Sequence, residues 1–242
     1  MARKVLNIAH RGASAYTPEN TLPAFEQALE LGADMIELDL HISKDRELVV
    51  IHDATLERTT NGRGRVREKD LFQLKALDAG SWFSPFFSRT RIPTLKEVLE
   101  LAKGKVQLDI EVKGWGIEER GVNLIRDYSL LDQVLMTSFD HKALLRIKEI
   151  EPSIKTGALL ARRPRDMVDI AQRVKTDILC IEHSIIREGD IEACHKKGIS
   201  LYLWTVNDPR RMEYLIDLGV DGIITDYPDV LRKILQPSFL GL

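Results

Sequence analysis

Apolar residues in this chain fall into short continuous runs separated by stretches in which they recur every three or four positions. The runs are Val5 to Ala9, Met35 to Leu40, Val106 to Val112, Val134 to Ser138, Lys155 to Leu160, Ile178 to Ile181, Leu201 to Thr205 and Gly222 to Thr225. Their length and composition predict eight strands. A further run, Leu48 to Ile51, stands outside this count, because Ser43-Lys44-Asp45-Arg46 reads as a turn that folds it back on the second strand. Helical periodicity fills Thr21 to Leu31, Thr94 to Ala102, His141 to Ile150, Arg165 to Val174, Asp190 to Lys197 and Pro209 to Leu218. Gly32, Gly104, Gly198 and Gly219 are placed to stop four of them. Alternating β and α elements imply a parallel sheet, and eight units in 242 residues predict an α/β chain folded as one closed (β/α)8 TIM barrel, residues 1–242. A doubly wound open sheet is the second reading, although no G-x-G-x-x-G follows the first strand.

The rhythm breaks between residues 53 and 92, which are rich in Arg, Gly and Thr and pass through Trp82-Phe83-Ser84-Pro85-Phe86-Phe87. This is too long for an ordinary βα connection. In a barrel it would be an insertion after the second strand, over the C-terminal face where such folds do their chemistry. The alternative is surface elaboration whose aromatics pack on the barrel.

Alternation along the strands also places charge. Glu37 and Asp39 share one face of the second strand, while Ile36, Leu38 and Leu40 share the other. Two carboxylates crowded out of water repel each other and lose hydration, so a cation or basic groups must neutralise them. On the third strand Asp109, Glu111 and Lys113 alternate onto one face, next to the second strand in a barrel. Glu37, Asp39 and Glu111 then form an oxygen-rich cluster suited to a hard divalent cation, Mg²⁺ or Ca²⁺ with Mn²⁺ as a further candidate. The competing reading is three acids in salt bridges with Arg11, Lys113 and other bases. His10 and His52 directly follow the first run and the Leu48 to Ile51 run. An imidazole with a pKa near 6.5 serves as acid or base at neutrality, so histidines beside an acidic cluster suit metal-assisted acid/base chemistry.

Composition narrows the class. With 44% hydrophobic and 30% charged residues the chain reads as soluble and globular, and a net charge of −2 gives no reason to expect nucleic acid. Cys180 and Cys194 form no C-x-x-C pair, which favours a reducing compartment. The apolar run after Met1-Ala2-Arg3-Lys4 meets His10-Arg11 too soon for a signal-peptide core, and no stretch reaches the roughly 18 apolar residues of a membrane span. The expectation is a cytoplasmic protein without membrane attachment. Nothing in the sequence indicates an oligomeric state.

An ordered set of motifs resembles the bacterial glycerophosphodiester phosphodiesterase family: His10-Arg11-Gly12, Pro18-Glu19-Asn20-Thr21, Gly32-Ala33-Asp34 leading to Glu37-Leu38-Asp39, His52-Asp53, Arg58-Thr59-Thr60-Asn61-Gly62, Asp78-Ala79-Gly80-Ser81-Trp82-Phe83, Ile92-Pro93-Thr94-Leu95, Glu111-Val112-Lys113, Trp204-Thr205-Val206-Asn207 and Gly222-Ile223-Ile224-Thr225-Asp226. The resemblance implies a (β/α)8 barrel that uses a divalent cation to hydrolyse glycerophosphodiesters to an alcohol and glycerol 3-phosphate. It implies His10 and His52 as the acid/base pair, Glu37, Asp39 and Glu111 as metal ligands, Arg11 and Lys113 at the phosphate, and Trp204 as a wall near the glycerol. It also implies attack on phosphorus by a glycerol hydroxyl, with water opening the cyclic phosphate that results. Two departures stand out: Asp109 occupies a position where relatives often have Asn, and Ile178 to Ile186 carries none of the family's patterns.

The remaining histidines read as structural. His41 follows the acid pair, His141 starts a helix, His195 lies within one, and His183 alone, beside Glu182, could approach the pocket. Asn20 reads as a helix N-cap and Gly12 as a turn residue. Two other function classes remain at this stage, a metal-dependent lyase or isomerase acting on a sugar phosphate and a catalytically idle binding barrel. With no anchoring helix evident, soluble deacylated diesters are the expected substrates within the phosphodiesterase class.

Overall fold

The computed structural model describes residues 4–236. In chain order the elements begin β1 (Leu6–Ala9), α1 (Leu22–Glu30), β2 (Met35–Ile42), β3 (Leu48–Val50), α2 (Leu71–Ala76), α3 (Leu95–Ala102) and β4 (Gln107–Val112). They continue with α4 (Glu118–Asp127), β5 (Val134–Ser138), α5 (His141–Ile150), β6 (Lys155–Leu160), α6 (Met167–Val174) and β7 (Ile178–Glu182). The last are α7 (Glu188–His195), β8 (Ser200–Trp204), α8 (Pro209–Leu218), β9 (Gly222–Thr225) and α9 (Pro228–Leu235).

β1, β2 and β4 to β9 each pair in parallel with the next, and β9 pairs back onto β1 from Leu6 opposite Gly222 to Ala9 opposite Thr225. The sheet is therefore a closed barrel of eight parallel strands, and the open-sheet reading falls. β3 runs antiparallel on β2, with Leu40 opposite Val50, as the turn at residues 43–46 predicts. Inside that turn Arg46 takes φ 67°, and the Ser43 hydroxyl accepts from the Glu47 amide at 2.8 Å.

Three of the helices, α2, α4 and α9, are absent from the periodicity reading. α4 hides because its inward face is only Gly121, Val122 and Ile125 in an otherwise charged segment, and α9 because Pro228 masks its start. At the predicted glycine stops the backbone turns left-handed, as at Gly219, which caps α8 with φ 86°.

Side-chain alternation divides the interior into two layers. Ile36, Leu38, Leu40, Leu108, Ile110 and Val112 face outward and pack under Leu95, Val98 and Leu99 of α3 and the other helices. Inward-facing Ile8, Met35, Leu135, Leu159, Ile178, Cys180, Tyr202 and Ile224 fill the barrel itself. Along β2 the inward series is Met35, Glu37, Asp39, so the apolar plug gives way to acids toward the C-terminal strand ends. Segment 53–92 gathers a small core of its own from Leu56, Val66, Leu74, Ala79 and Ile92 against Val49 and Ile51. Its aromatics stack on one another edge to face rather than on the barrel, leaving Trp82 41% and Phe86 86% exposed. Among the described residues no helix is long and apolar enough to cross a membrane.

Candidate active site

The C-terminal strand ends enclose a cavity of about 130 Å³ lined by His10, Arg11, Glu37, His52, Asp109, Glu111, Lys113 and Trp204 among others. Every site residue singled out from sequence except Asp39 is on that wall. Asp39 lies just beneath, fully buried, opposite Glu111 in the β2–β4 pairing, as Glu37 lies opposite Asp109. Carboxylate oxygens of Glu37, Asp39 and Glu111 all come within 4.8 Å of one another.

Arg11 and Gly12 form the turn that carries the chain out of β1, with φ of 55° and 85°. Gly12 has no room for a side chain, since a Cβ there would sit 2.6 Å from the main chain of Ala24. This turn aims the Arg11 main-chain N–H at Glu37 Oε2, 2.8 Å away. The Arg11 guanidinium meets Glu19 at 2.8 Å and Asp39 at 3.3 Å, while Lys113 Nζ meets Glu111 at 2.8 Å and Asp39 at 3.1 Å. Asn20 corrects an expectation. Thr21, not Asn20, precedes α1, and Asn20 instead clamps Asp39, donating to its Oδ2 at 2.7 Å and accepting from its main-chain N–H at 3.1 Å. A left-handed backbone at Asn20, φ 57°, makes that reach available, and Asn tolerates it better than most residues.

Four carboxylates, Glu37, Asp39, Asp109 and Glu111, thus share the site with two fixed cations, Arg11 and Lys113. Burial and the Asp39 charge push the Glu37 carboxyl well up. Burial pushes Glu111 up to about 7, with Lys113 opposing and Asp39 reinforcing the rise. Burial acts on Asp39 too, but Lys113, Arg11 and His52 outweigh it and hold that carboxyl down at about 2. Asp109 is pushed up to about 7 by burial, against the hydrogen bond it accepts from Thr137 at 2.7 Å. Burial thus favours its uncharged form, a partial physical equivalent of the Asn expected there. Asp39 Oδ1 is buried and makes no hydrogen bond, with Lys113 in ion-pair contact only. Four carboxylates set against two cations, three of them converging, and a buried Asp39 oxygen that no hydrogen bond satisfies fit a hard divalent cation.

Each site histidine is held by a carboxylate. His10 Nδ1 lies 2.6 Å from Asp226 Oδ1, and His52 Nδ1 lies 2.6 Å from Asp53 Oδ1. Burial disfavours ionised Asp226, but bonds from His10, Asn207 and Ser14 lower its pKa nonetheless. Asp53 is lowered chiefly by its bonds from Arg58 and then from His52. Ionised carboxylates only accept, so both Nδ1 atoms carry protons and both Nε2 atoms are left available for chemistry. His52 has its pKa lowered by burial, against the pull of Asp39 and Asp53. Arg58 continues the chain outward, bonding Asp53 at 2.8 Å and Glu19 at 2.7 Å, so segment 53–92 reaches the support of His52. Trp204 meets Phe139 edge-on at 5.7 Å, and its indole Nε1 is buried without a partner.

Sequence reasoning gave no role to Asp53, Asp226, Glu19 or Arg58, although all four lie within the quoted motifs. Adjacency of Asp53 to His52 was the one local signal. Among the described residues His41, His141, His183 and His195 are all away from the cavity wall. His141 begins α5, His195 lies in α7 bonded to Asp221 at 2.8 Å, and His183 Nε2 lies 3.8 Å from Glu182.

The model of the glycerophosphoryl diester phosphodiesterase family matches residues 10–230. The chain belongs to this family. The glycerophosphodiester phosphodiesterase of Caldanaerobacter subterraneus is 43% identical over 239 residues, covering 96% of this chain and 98% of that protein. That of Bacillus subtilis is 35% identical over 253 residues, covering 96% and 86%. Among solved structures, an Oleispira antarctica phosphodiesterase in complex with its product sn-glycerol-3-phosphate superposes with a TM-score of 0.88 at 30% identity, covering 95% of this chain and 96% of that one. The glycerophosphodiester phosphodiesterase of Agrobacterium tumefaciens gives 0.84 at 31% identity, covering 96% and 99%. By family the protein is therefore a phosphoric diester hydrolase of the glycerophosphodiester phosphodiesterase type. The sugar-phosphate lyase or isomerase alternative is not favoured.

Proposed function

We propose that this protein hydrolyses soluble glycerophosphodiesters to an alcohol and glycerol 3-phosphate, with Glu37, Asp39 and Glu111 holding one divalent cation and His10 and His52 moving the protons. The observation that carries this reading is the pair of carboxylate-backed histidines facing one cavity floored by three converging acids. When bound, the cation would neutralise charge on the nonbridging phosphate oxygens.

The chain's own groups supply the rest. Lys113 and Arg11 add fixed positive charge beside the cavity, each tethered by acids so that it stays in place as substrate enters. One imidazole accepts the proton of the attacking glycerol hydroxyl and the other donates to the departing alkoxide. When water opens the cyclic phosphate these duties reverse, which suits two Nε2 atoms of matched chemistry. Asp226 and Asp53 fix the tautomers and balance the imidazolium that forms. Trp204 offers a flat wall for glycerol. Segment 53–92 acts as an insertion over this face of a single barrel domain, holding His52 through Arg58. Both cysteines are free and buried, which agrees with a reducing, cytoplasmic setting.

Chelator-stripped protein resupplied with Mg²⁺, Ca²⁺ or Mn²⁺ is expected to release glycerol 3-phosphate from glycerophosphocholine or glycerophosphoethanolamine only with cation. His10→Ala and His52→Ala should each abolish most turnover while leaving the barrel folded. No release with any cation would overturn the activity, and near-normal turnover in either variant would remove that histidine from the mechanism.

A further inference from the structure

Beside the central cavity lies a second hollow of about 310 Å³, between the loops that follow β4 and β5. Glu111, Lys113 and Phe139 line both, so the hollow is a branch of the same site. The mechanism above uses the central cavity and gives this branch no work. Its outer walls are Trp115, Phe139 and Asp140. Trp115 is 82% exposed and Phe139 48%, a large apolar outlay at the mouth of a polar site. Trp115 is carried between Gly114 and Gly116, and Gly116 has φ 80° with nothing within 4 Å of a Cβ placed there. Asp140 uses Oδ1 to accept from the Lys142 main-chain N–H at 3.0 Å, and its side chain stays at the surface.

A phosphodiester seated at Lys113 has two arms. With glycerol against Trp204, the alcohol arm takes the branch between Trp115 and Phe139. Aromatic faces attract cations through their quadrupole, and a nearby carboxylate adds to that attraction. A quaternary ammonium fits best, because its methyl groups pack on rings and ask for no hydrogen bonds, whereas a polyol would be desolvated against walls that offer it few donors. Lys113 at the junction is tethered by Glu111 and Asp39 and meets the phosphate.

We propose that Trp115, Phe139 and Asp140 form the subsite for the alcohol and favour diesters whose alcohol carries a quaternary ammonium group. The proposal rests on the phosphodiesterase reading of the central cavity.

Binding and turnover test it separately, on the full-length, cation-loaded protein. Phosphocholine, a monoester that diester hydrolysis does not consume, is expected to bind in calorimetry about fivefold more tightly than inorganic phosphate. Trp115→Phe should keep that advantage and Trp115→Ala should lose it. In parallel, the ratio of kcat/KM for glycerophosphocholine over glycerophosphoglycerol should fall by about fivefold in Trp115→Ala and be kept in Trp115→Phe. Equal affinities in the wild type, an advantage that survives the Trp115→Ala, Phe139→Ala double variant, or an equal loss on both diesters would each overturn the subsite. Turnover without a phosphocholine preference would sink the subsite alone. A preference without turnover of any diester would sink the phosphodiesterase reading and the subsite's role with it.

Discussion

Asp226→Asn is the sharpest test of how His10 is held, because it keeps the side chain's shape and removes only its charge and acceptor capacity. The Asp226 carboxylate accepts from His10 Nδ1 at 2.6 Å, Asn207 Nδ2 at 2.6 Å and Ser14 Oγ at 2.9 Å. An amide has one acceptor oxygen and one NH₂, so it must set a donor against at least one of these three donors. If the NH₂ faces His10, the ring is driven to the other tautomer, with its proton on the Nε2 that has to take one up in one of the two steps. A hydrogen bond to a charged group contributes about 1.5–3 kcal/mol. The productive tautomer therefore loses about 10- to 150-fold in weight, and kcat should fall by that factor. Since Asp226 is off the cavity wall, KM should stay within about threefold. Steady-state kinetics on glycerophosphocholine at saturating cation measures both, with circular dichroism confirming that the link to Asn207 survives well enough to fold. A folded variant with kcat within about twofold of wild type would refute the claim that Asp226 sets the state of His10.

Other expectations follow from the same geometry. Glu111 is held near 7 and burial pushes Glu37 well above its ordinary value, so protons compete with the cation, and its affinity should weaken by about fivefold or more between pH 7 and pH 6. The sign for stability is reversed from the usual carboxylate: the folded protein holds extra protons between about pH 4 and pH 7, so in chelator this contribution is full at low pH and lost as pH rises through 7. Differential scanning calorimetry should show cation raising the melting temperature more at pH 8 than at pH 6, and a flat response would contradict the assignment; Asp39→Asn should abolish the rise. Asn20→Ala leaves the buried Asp39 N–H unpaired and forces Ala into a left-handed backbone, which should cost about 2–4 kcal/mol in urea unfolding. A loss below about 0.5 kcal/mol would show that water replaces the clamp. Asp78 accepts from the main-chain N–H groups of Gly80, Ser81 and Arg89, which lower its pKa. Asp78→Asn should therefore destabilise the protein by about 1–2 kcal/mol at pH 7, a gap that narrows as pH falls below about 4, where the unfolded carboxylate takes up a proton that the folded one still refuses. A gap unchanged from about pH 5 to about pH 3 would assign the effect to shape rather than charge.

Much of the barrel is legible in sequence because buried parallel strands and amphipathic helices leave periodic signals within a single element. β5, β6, β9, α5 and α8 have the bounds the pattern predicts, and the hairpin at β3 announces itself through its turn. The same local alternation puts Glu37 and Asp39 on one face of β2 and Asp109 and Glu111 on one face of β4, with Lys113 just past its end, so the main acids and Lys113 could be named before any fold. Elements whose inward face is small or masked, such as α4 with Gly121, give the pattern too little contrast.

Tertiary structure alone decided the rest. Closure depends on Leu6 of β1 finding Gly222 of β9, an encounter between the two ends of the chain that no local period encodes. Asn20 reads locally as a cap, yet its partner is Asp39 on the neighbouring strand β2. The carboxylate behind His10 comes from Asp226, and the clasp behind His52 runs through Arg58 to Glu19. Hydrogen bonds and charge pairs act over about 3 Å between groups far apart in sequence. Periodicity states which face a side chain takes, and only the folded chain states which other face it meets.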